Sequence, residues 1–170
     1  TGNRNNPIRR ALEKPFGGKK LFVRFRLRYD AASIDTPENG DGEFFVFWFD
    51  AKNDGDTDSH SNGIPNVGVH VNEDHKAWMA RFNSSHQTFA TTQFTGDREF
   101  TVVARLSKSS AGQTASFGRL TVWIDPRVTD FATPAIEVTS ERSISTVKWI
   151  GFSTGRKTEP TDRIAVSTVE

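Results

Sequence analysis

The 170-residue chain contains no cysteine, so disulfides and thiolate metal sites are excluded outright. This leaves the compartment open, because many large secreted β-domains need no disulfide. Tyr and Met occur once each, and the aromatic content rests on 14 Phe and 4 Trp. No apolar run is long enough to span a bilayer, and no signal peptide pattern is visible. A charge excess is missing too: 22 Lys+Arg face 21 Asp+Glu, for a formal charge of +1. That balance gives no case for nucleic acid as a partner, and any electrostatic role must come from local clustering. Phosphate-loop and dinucleotide patterns are missing, and so is the Gly-x-Ser-x-Gly elbow of serine hydrolases.

What the chain does have is strands. Its length fits one domain with a substantial core. The central stretch is Gly42-Glu43-Phe44-Phe45-Val46-Phe47-Trp48-Phe49-Asp50, in which six consecutive apolar residues include five aromatics. A strand sends alternate side chains to opposite faces, so Phe45, Phe47 and Phe49 share one side and Phe44, Val46 and Trp48 the other. So many aromatics cannot all face water without a large apolar patch, so both faces are expected to be buried.

Residues 1–18 are basic and polar, with Ile8, Leu12 and Phe16 recurring every fourth residue. They read as an N-terminal arm packing over a domain of residues 19–170, with a helical turn near Arg9 to Lys14. The first residue is Thr, not Met, as expected of a piece of a larger exported protein. Lys19 to Asp30 alternates clearly: Leu21, Val23, Phe25, Leu27 and Tyr29 point one way, and Phe22, Arg24, Arg26 and Arg28 the other. Val67, Val69 and Val71, followed by Trp78, Ala80 and Phe82, predict a hairpin. Further strands are expected over His86 to Phe94, Glu99 to Lys108, Phe117 to Asp125, Ala135 to Thr139, Thr146 to Ser153 and Arg163 to Val169. Short strands with polar turns, and no helix longer than two turns, predict an all-β antiparallel sandwich.

Three groups of residues carry candidate chemistry. The loop from Asp50 to Asp58 offers Asp50, Asp54, Asp56 and Asp58 as hard oxygen ligands, the set calcium would use. Lys52 interrupts the EF-hand order and no Glu closes the site, so the alternative is a solvated loop in which Asp and Gly make turns. His60, His70, His75 and His86 lack the spacings that bring two zinc ligands together, although His70 and His75 flank the hairpin. The third group comes from strand faces turned away from the expected core. Arg24, Arg26 and Arg28 form a basic stripe, and Trp48, Arg81, Arg105, Trp123 and Asp125 stand on similar faces. Aromatic rings could stack on sugars while Arg and Asp hydrogen-bond hydroxyls; the alternative is solvated arginines and tryptophans that merely cover the sheets.

From Phe100 onward the order of strands resembles the concanavalin A-like lectin/glucanase superfamily, in its laminin-G-like branch. The similar features are the alternating strand Phe100 to Leu106, a polar hairpin, and Leu120-Thr121-Val122-Trp123-Ile124-Asp125-Pro126. Trp149-Ile150-Gly151-Phe152-Ser153 follows, and a last strand opens with Asp162-Arg163-Ile164, where Arg163 replaces the family's Glu. The resemblance implies a jelly roll of two curved sheets. It also implies glycan or protein binding, often with calcium at one rim, and glycoside hydrolysis in some members. The Glu-x-Asp-x-x-Glu of related glucanases has no counterpart: Asp41-Gly42-Glu43 sits at a turn, and Val46 stands where the third acid would fall. The expectation is a non-catalytic module that binds carbohydrate or matrix, extracellular or in the cell envelope. A structural or protein-interaction module is the alternative, and a glycoside hydrolase comes third.

Overall fold

A computed structural model of the chain describes residues 5–30, 43–52, 63–71, 76–83, 85–109, 115–155 and 162–170. They form eleven strands in two antiparallel sheets: β1 (Asn5–Phe16), β2 (Lys20–Tyr29), β3 (Glu43–Asp50), β4 (Asn66–Val71), β5 (Lys76–Asn83), β6 (His86–Gln93), β7 (Glu99–Ser107), β8 (Arg119–Ile124), β9 (Ile136–Thr139), β10 (Val147–Thr154) and β11 (Ile164–Ser167). The first sheet has six strands in the order β1-β10-β3-β4-β5-β6, and the second has five in the order β11-β2-β7-β8-β9. The fold is therefore an all-β sandwich, as the alternation predicted. No helix among the described residues is long and apolar enough to cross a membrane.

The core lies between the sheets and is built from the alternate residues of each strand. Val23, Phe25, Leu27 and Tyr29 of β2 meet Phe45, Phe47 and Phe49 of β3, with Phe100, Val102, Leu120 and Val122 in the same cluster. Ring contacts tie the layers together. Phe25 stacks on Phe47 at 5.4 Å, and Trp78 meets Phe94 and Phe100 edge-on, each at 5.2 Å. Such pairs add to the burial of their area. β3 is an interior strand, flanked by β10 and β4, and Phe44 to Phe49 are all buried.

The N-terminal segment differs from the expectation. Asn5–Phe16 is an edge strand paired with β10, not a helical turn. Pro15 cannot continue a helix, whereas an edge strand tolerates proline because one side needs no ladder donor. The pairing shifts register between Asn5 and Ile8 and again between Ala11 and Phe16, the intervals that contain Pro7 and Pro15. Leu12 and Phe16 pack against the main core, where Phe16 lies 6.2 Å from Phe117, and do not cover the outer side of β3. Ile8 is exposed.

Candidate functional site

The residues singled out for binding fall on opposite outsides of the sandwich. Trp48 and Arg81 belong to the outer face of the six-stranded sheet. Arg24, Arg26, Arg28, Arg105 and Trp123 belong to the outer face of the five-stranded sheet, and Asp125 lies just past the end of β8.

On the six-stranded sheet, register places Gly151, Trp48, Asn66 and Arg81 in one row across β10, β3, β4 and β5. Trp48 is 1% exposed and Arg81 4%. The Arg81 guanidinium is held: its Nε donates to Asn66 Oδ1 at 3.0 Å, and its Cζ lies 5.0 Å from the Phe44 ring. Asn66 in turn donates through Nδ2 to the Ile64 carbonyl at 2.9 Å. Gly151 is required here, because a Cβ would run into the Trp48 indole. Phe44, Val46 and Met79 form a small apolar cluster beside this row. These side chains do not offer an open ring or guanidinium to a ligand.

The five-stranded sheet is different. Lys20, Phe22, Arg24, Arg26 and Arg28 alternate outward along β2, opposite the core residues. Arg24 pairs with Glu170 at 3.5 Å, Arg26 with Glu99 at 3.3 Å and Arg28 with Asp97 at 3.7 Å, so acids answer the whole stripe. Asp125 is a structural lock. It sits in the left-handed region (φ 49°), accepts the Thr101 backbone N–H at 2.7 Å and pairs with Arg98. Trp123 is 3% exposed, roofed by Phe131 at 5.3 Å. The Arg105 guanidinium lies 5.2 Å from the Trp123 ring and donates to Thr121 Oγ1 at 3.2 Å.

A cleft of about 1190 Å³ opens at the end of this sheet, where β2, β8 and β6 begin and β7, β9 and β5 finish. Among the described residues, Lys20, Arg105, Lys108, Arg119 and Arg142 line it with a single acid, Glu141, and Ser85, Ser107, Ser109, Ser116, Thr139 and Ser140 supply hydroxyls. Its wall is fixed by backbone bonds: Ser140 N donates to Gly118 O at 2.9 Å, and Phe117 N to Ile144 O at 2.8 Å. A Cβ on Gly118 would stand 2.6 Å from the Ser140 carbonyl, so glycine permits this close approach. Ser140 Oγ closes the following turn, donating to Arg142 O and accepting from Arg142 N. Lys108 Nζ donates to Gly17 O at 2.9 Å and sits 5.1 Å from the Phe117 ring. Among the described residues, Lys20, Arg105, Lys108 and Arg142 have no carboxylate partner, and Arg119 has a loose one, Glu137 at 3.7 Å. A concave surface with fixed cations and many hydroxyls can hold a polar, anionic ligand at several points.

Of the described residues picked out for ligand binding, Arg105 alone lines this cleft, and His86, weighed as a zinc ligand, lines it too. Lys20, Lys108, Arg119 and Arg142 were missed because they lie far apart in sequence, at or just past different strand ends, and only the topology brings those ends together. Of the expected calcium ligands, Asp50 alone lies within the described residues. Asp54, Asp56 and Asp58 lie outside them, as do His60 and His75. Asp50 is buried, with its Oδ1 accepting the Ala51 N–H at 2.6 Å. No group of three or more His or carboxylate side chains suited to a metal occurs among the described residues.

No protein-family model matches the chain, and no curated protein is similar to it in sequence. Solved structures do match in shape. An endo-β-1,4-glucuronan lyase from the fungus Trichoderma reesei aligns over 99% of this chain and 74% of its own, with 9% identity and a TM-score of 0.58. The alginate lyase Aly36B, in a mutant complexed with alginate trisaccharide, aligns over 89% of this chain and 69% of its own (9% identity, TM-score 0.55). The globular domain of T. cruzi calreticulin aligns over 95% of this chain and 66% of its own (8% identity, TM-score 0.56). Two antiparallel sheets in this order, matched in shape by these proteins, give the chain the concanavalin A-like lectin/glucanase fold.

Proposed function

We propose that the domain is a non-catalytic carbohydrate-binding module of a larger exported protein, and that it takes its ligand in the cleft at the end of the five-stranded sheet. The observation that carries this reading is the lining: fixed guanidinium and ammonium groups interleaved with hydroxyls in a volume suited to several sugar units. The fold supports it, since proteins of this shape include one solved with an alginate trisaccharide and one named for cleaving glucuronan. Among the described residues that line the cleft, Glu141 is the one carboxyl group, whereas glycoside hydrolysis ordinarily uses a flanking pair. That favours binding over hydrolysis.

A glycan array, run with and without calcium, tests the proposal. Binding to at least one polysaccharide, lost on Arg105→Ala with the fold intact, is the expected result. Binding that survives Arg105→Ala and Arg142→Ala would place the ligand elsewhere. Release of shortened or unsaturated products from a bound polysaccharide would make the domain an enzyme instead.

A further inference from the structure

Beside the cleft, the Phe22 ring of β2 is left in the open, as is Phe131 over the far side of the same sheet. Phe22 is 53% exposed, in contrast to the enclosed Trp123 on the same face. Its surroundings are cationic: Lys20 and Arg24 lie two residues away along β2 on the same face, and Arg105 is its direct cross-strand partner on β7. Residues two apart on a strand are about 7 Å apart, and direct partners about 5 Å. Lys20 and Arg105 also line the cleft, so Phe22 stands at its lip.

We infer that the cleft and the Phe22 ring form one continuous site for a linear acidic polysaccharide, whose carboxylate or sulfate groups pair with Lys20, Arg105 and Arg142 while one sugar face stacks on Phe22. This rests on the carbohydrate-binding reading above and adds the ligand's charge and a residue that recognises it. Three observations carry it.

The first is charge complementarity. Acids on the protein neutralise the Arg24, Arg26 and Arg28 stripe, whereas Lys20, Arg105 and Arg142 have no carboxylate partner among the described residues. A cluster of like charges opposes folding, and an anionic ligand removes that opposition on binding. The second is extent: a cleft of about 1190 Å³ is far larger than a single small anion needs, and its cations are spread over several strand ends. That spacing suits a polymer with repeated charges. The third is preorganisation. Arg105 is fixed by its bond to Thr121 and by stacking on Trp123, which Phe131 backs, so little side-chain freedom is lost when it binds.

The test measures affinities of the intact domain for polyuronate, sulfated glycan, neutral dextran and polyglutamate at two salt concentrations. Binding is expected for the polyuronate, the sulfated glycan or both, which separates the two sources of charge, and not for dextran. Raising salt from about 50 to about 300 mM should weaken it severalfold. Arg105→Ala should lower affinity about tenfold, the scale of one lost charge-assisted hydrogen bond. Phe22→Ala should lower polysaccharide affinity about fivefold, the scale of one lost ring contact, yet leave any polyglutamate binding unchanged. Arg26→Ala, in the neutralised stripe, should change nothing.

Binding of neutral dextran without salt dependence would overturn this inference and leave the carbohydrate-binding reading standing. Polyglutamate bound as tightly as polysaccharide, with Phe22→Ala silent, would also overturn it, by marking a generic docking surface for acidic chains. Binding to none of the glycans would overturn both.

Discussion

The two outsides of this sandwich share a sequence pattern and differ in physical state. On each, strand residues opposite the core include aromatics and arginines. On the six-stranded sheet Trp48 and Arg81 are enclosed and the arginine is hydrogen-bonded into the fold. On the five-stranded sheet Phe22 is in solvent, the β2 arginines are paired at the surface, and Lys20, Arg105 and Arg142 of the cleft have no carboxylate partner among the described residues. The difference teaches that alternation tells which residues share a face, but not whether that face meets water. A guanidinium in the first setting is bonded into the fold, and in the second it stays at the surface.

Four experiments test that contrast. The largest effect belongs to Trp48→Ala, expected to cost about 3–5 kcal/mol in urea unfolding, as for other buried large aromatics. A wild-type midpoint would mean that the outer face of the six-stranded sheet is open. Next comes Asn66→Ala, which removes the acceptor of the buried Arg81 Nε. It should destabilise by about 1–3 kcal/mol, the cost of stranding a buried donor, and calorimetry at matched salt would measure it. The opposite face should respond weakly. A double-mutant cycle on Arg26 and Glu99 should give a coupling of about 0.2–1 kcal/mol that shrinks as salt rises, because both side chains are well exposed. A coupling of several kcal/mol would mean that the stripe is structural in the way Arg81 is. The smallest effect is expected for Phe22→Ala, within about 0.5 kcal/mol of wild type by thermal unfolding. A larger loss would show that the ring packs into the fold and is not held out for a ligand.

Much of the fold was legible. The alternation in Lys20–Tyr29 and Glu99–Ser107 identified two strands and the sides they bury, since a period of two has one reading when every second residue is apolar; that they pair with each other came from the structure. The aromatic run identified an interior strand, because no single layer can cover both of its faces. The helical turn expected near Arg9 to Lys14 is strand instead: Ile8, Leu12 and Phe16 fit a helical spacing by coincidence, and the prolines at 7 and 15 are the contrary signal. Of the cleft, Arg105 was visible from its strand face. Lys20, Lys108, Arg119 and Arg142 were not, because each is an ordinary basic residue beside a turn.

The sequence by itself determined the two-layer plan, since alternating apolar residues can satisfy both burial and backbone hydrogen bonding in a sheet sandwich. It also determined that no thiol chemistry operates here, since there is no cysteine. Only the tertiary structure decided which cations are neutralised and which are gathered. Arg24 meets Glu170 across the length of the chain, and Lys20, Lys108 and Arg142 are neighbours because β2, β7, β8 and β9 lie side by side with their ends in register. Charge interactions depend on distance in space and on local solvent. Neither is written in the linear order of residues.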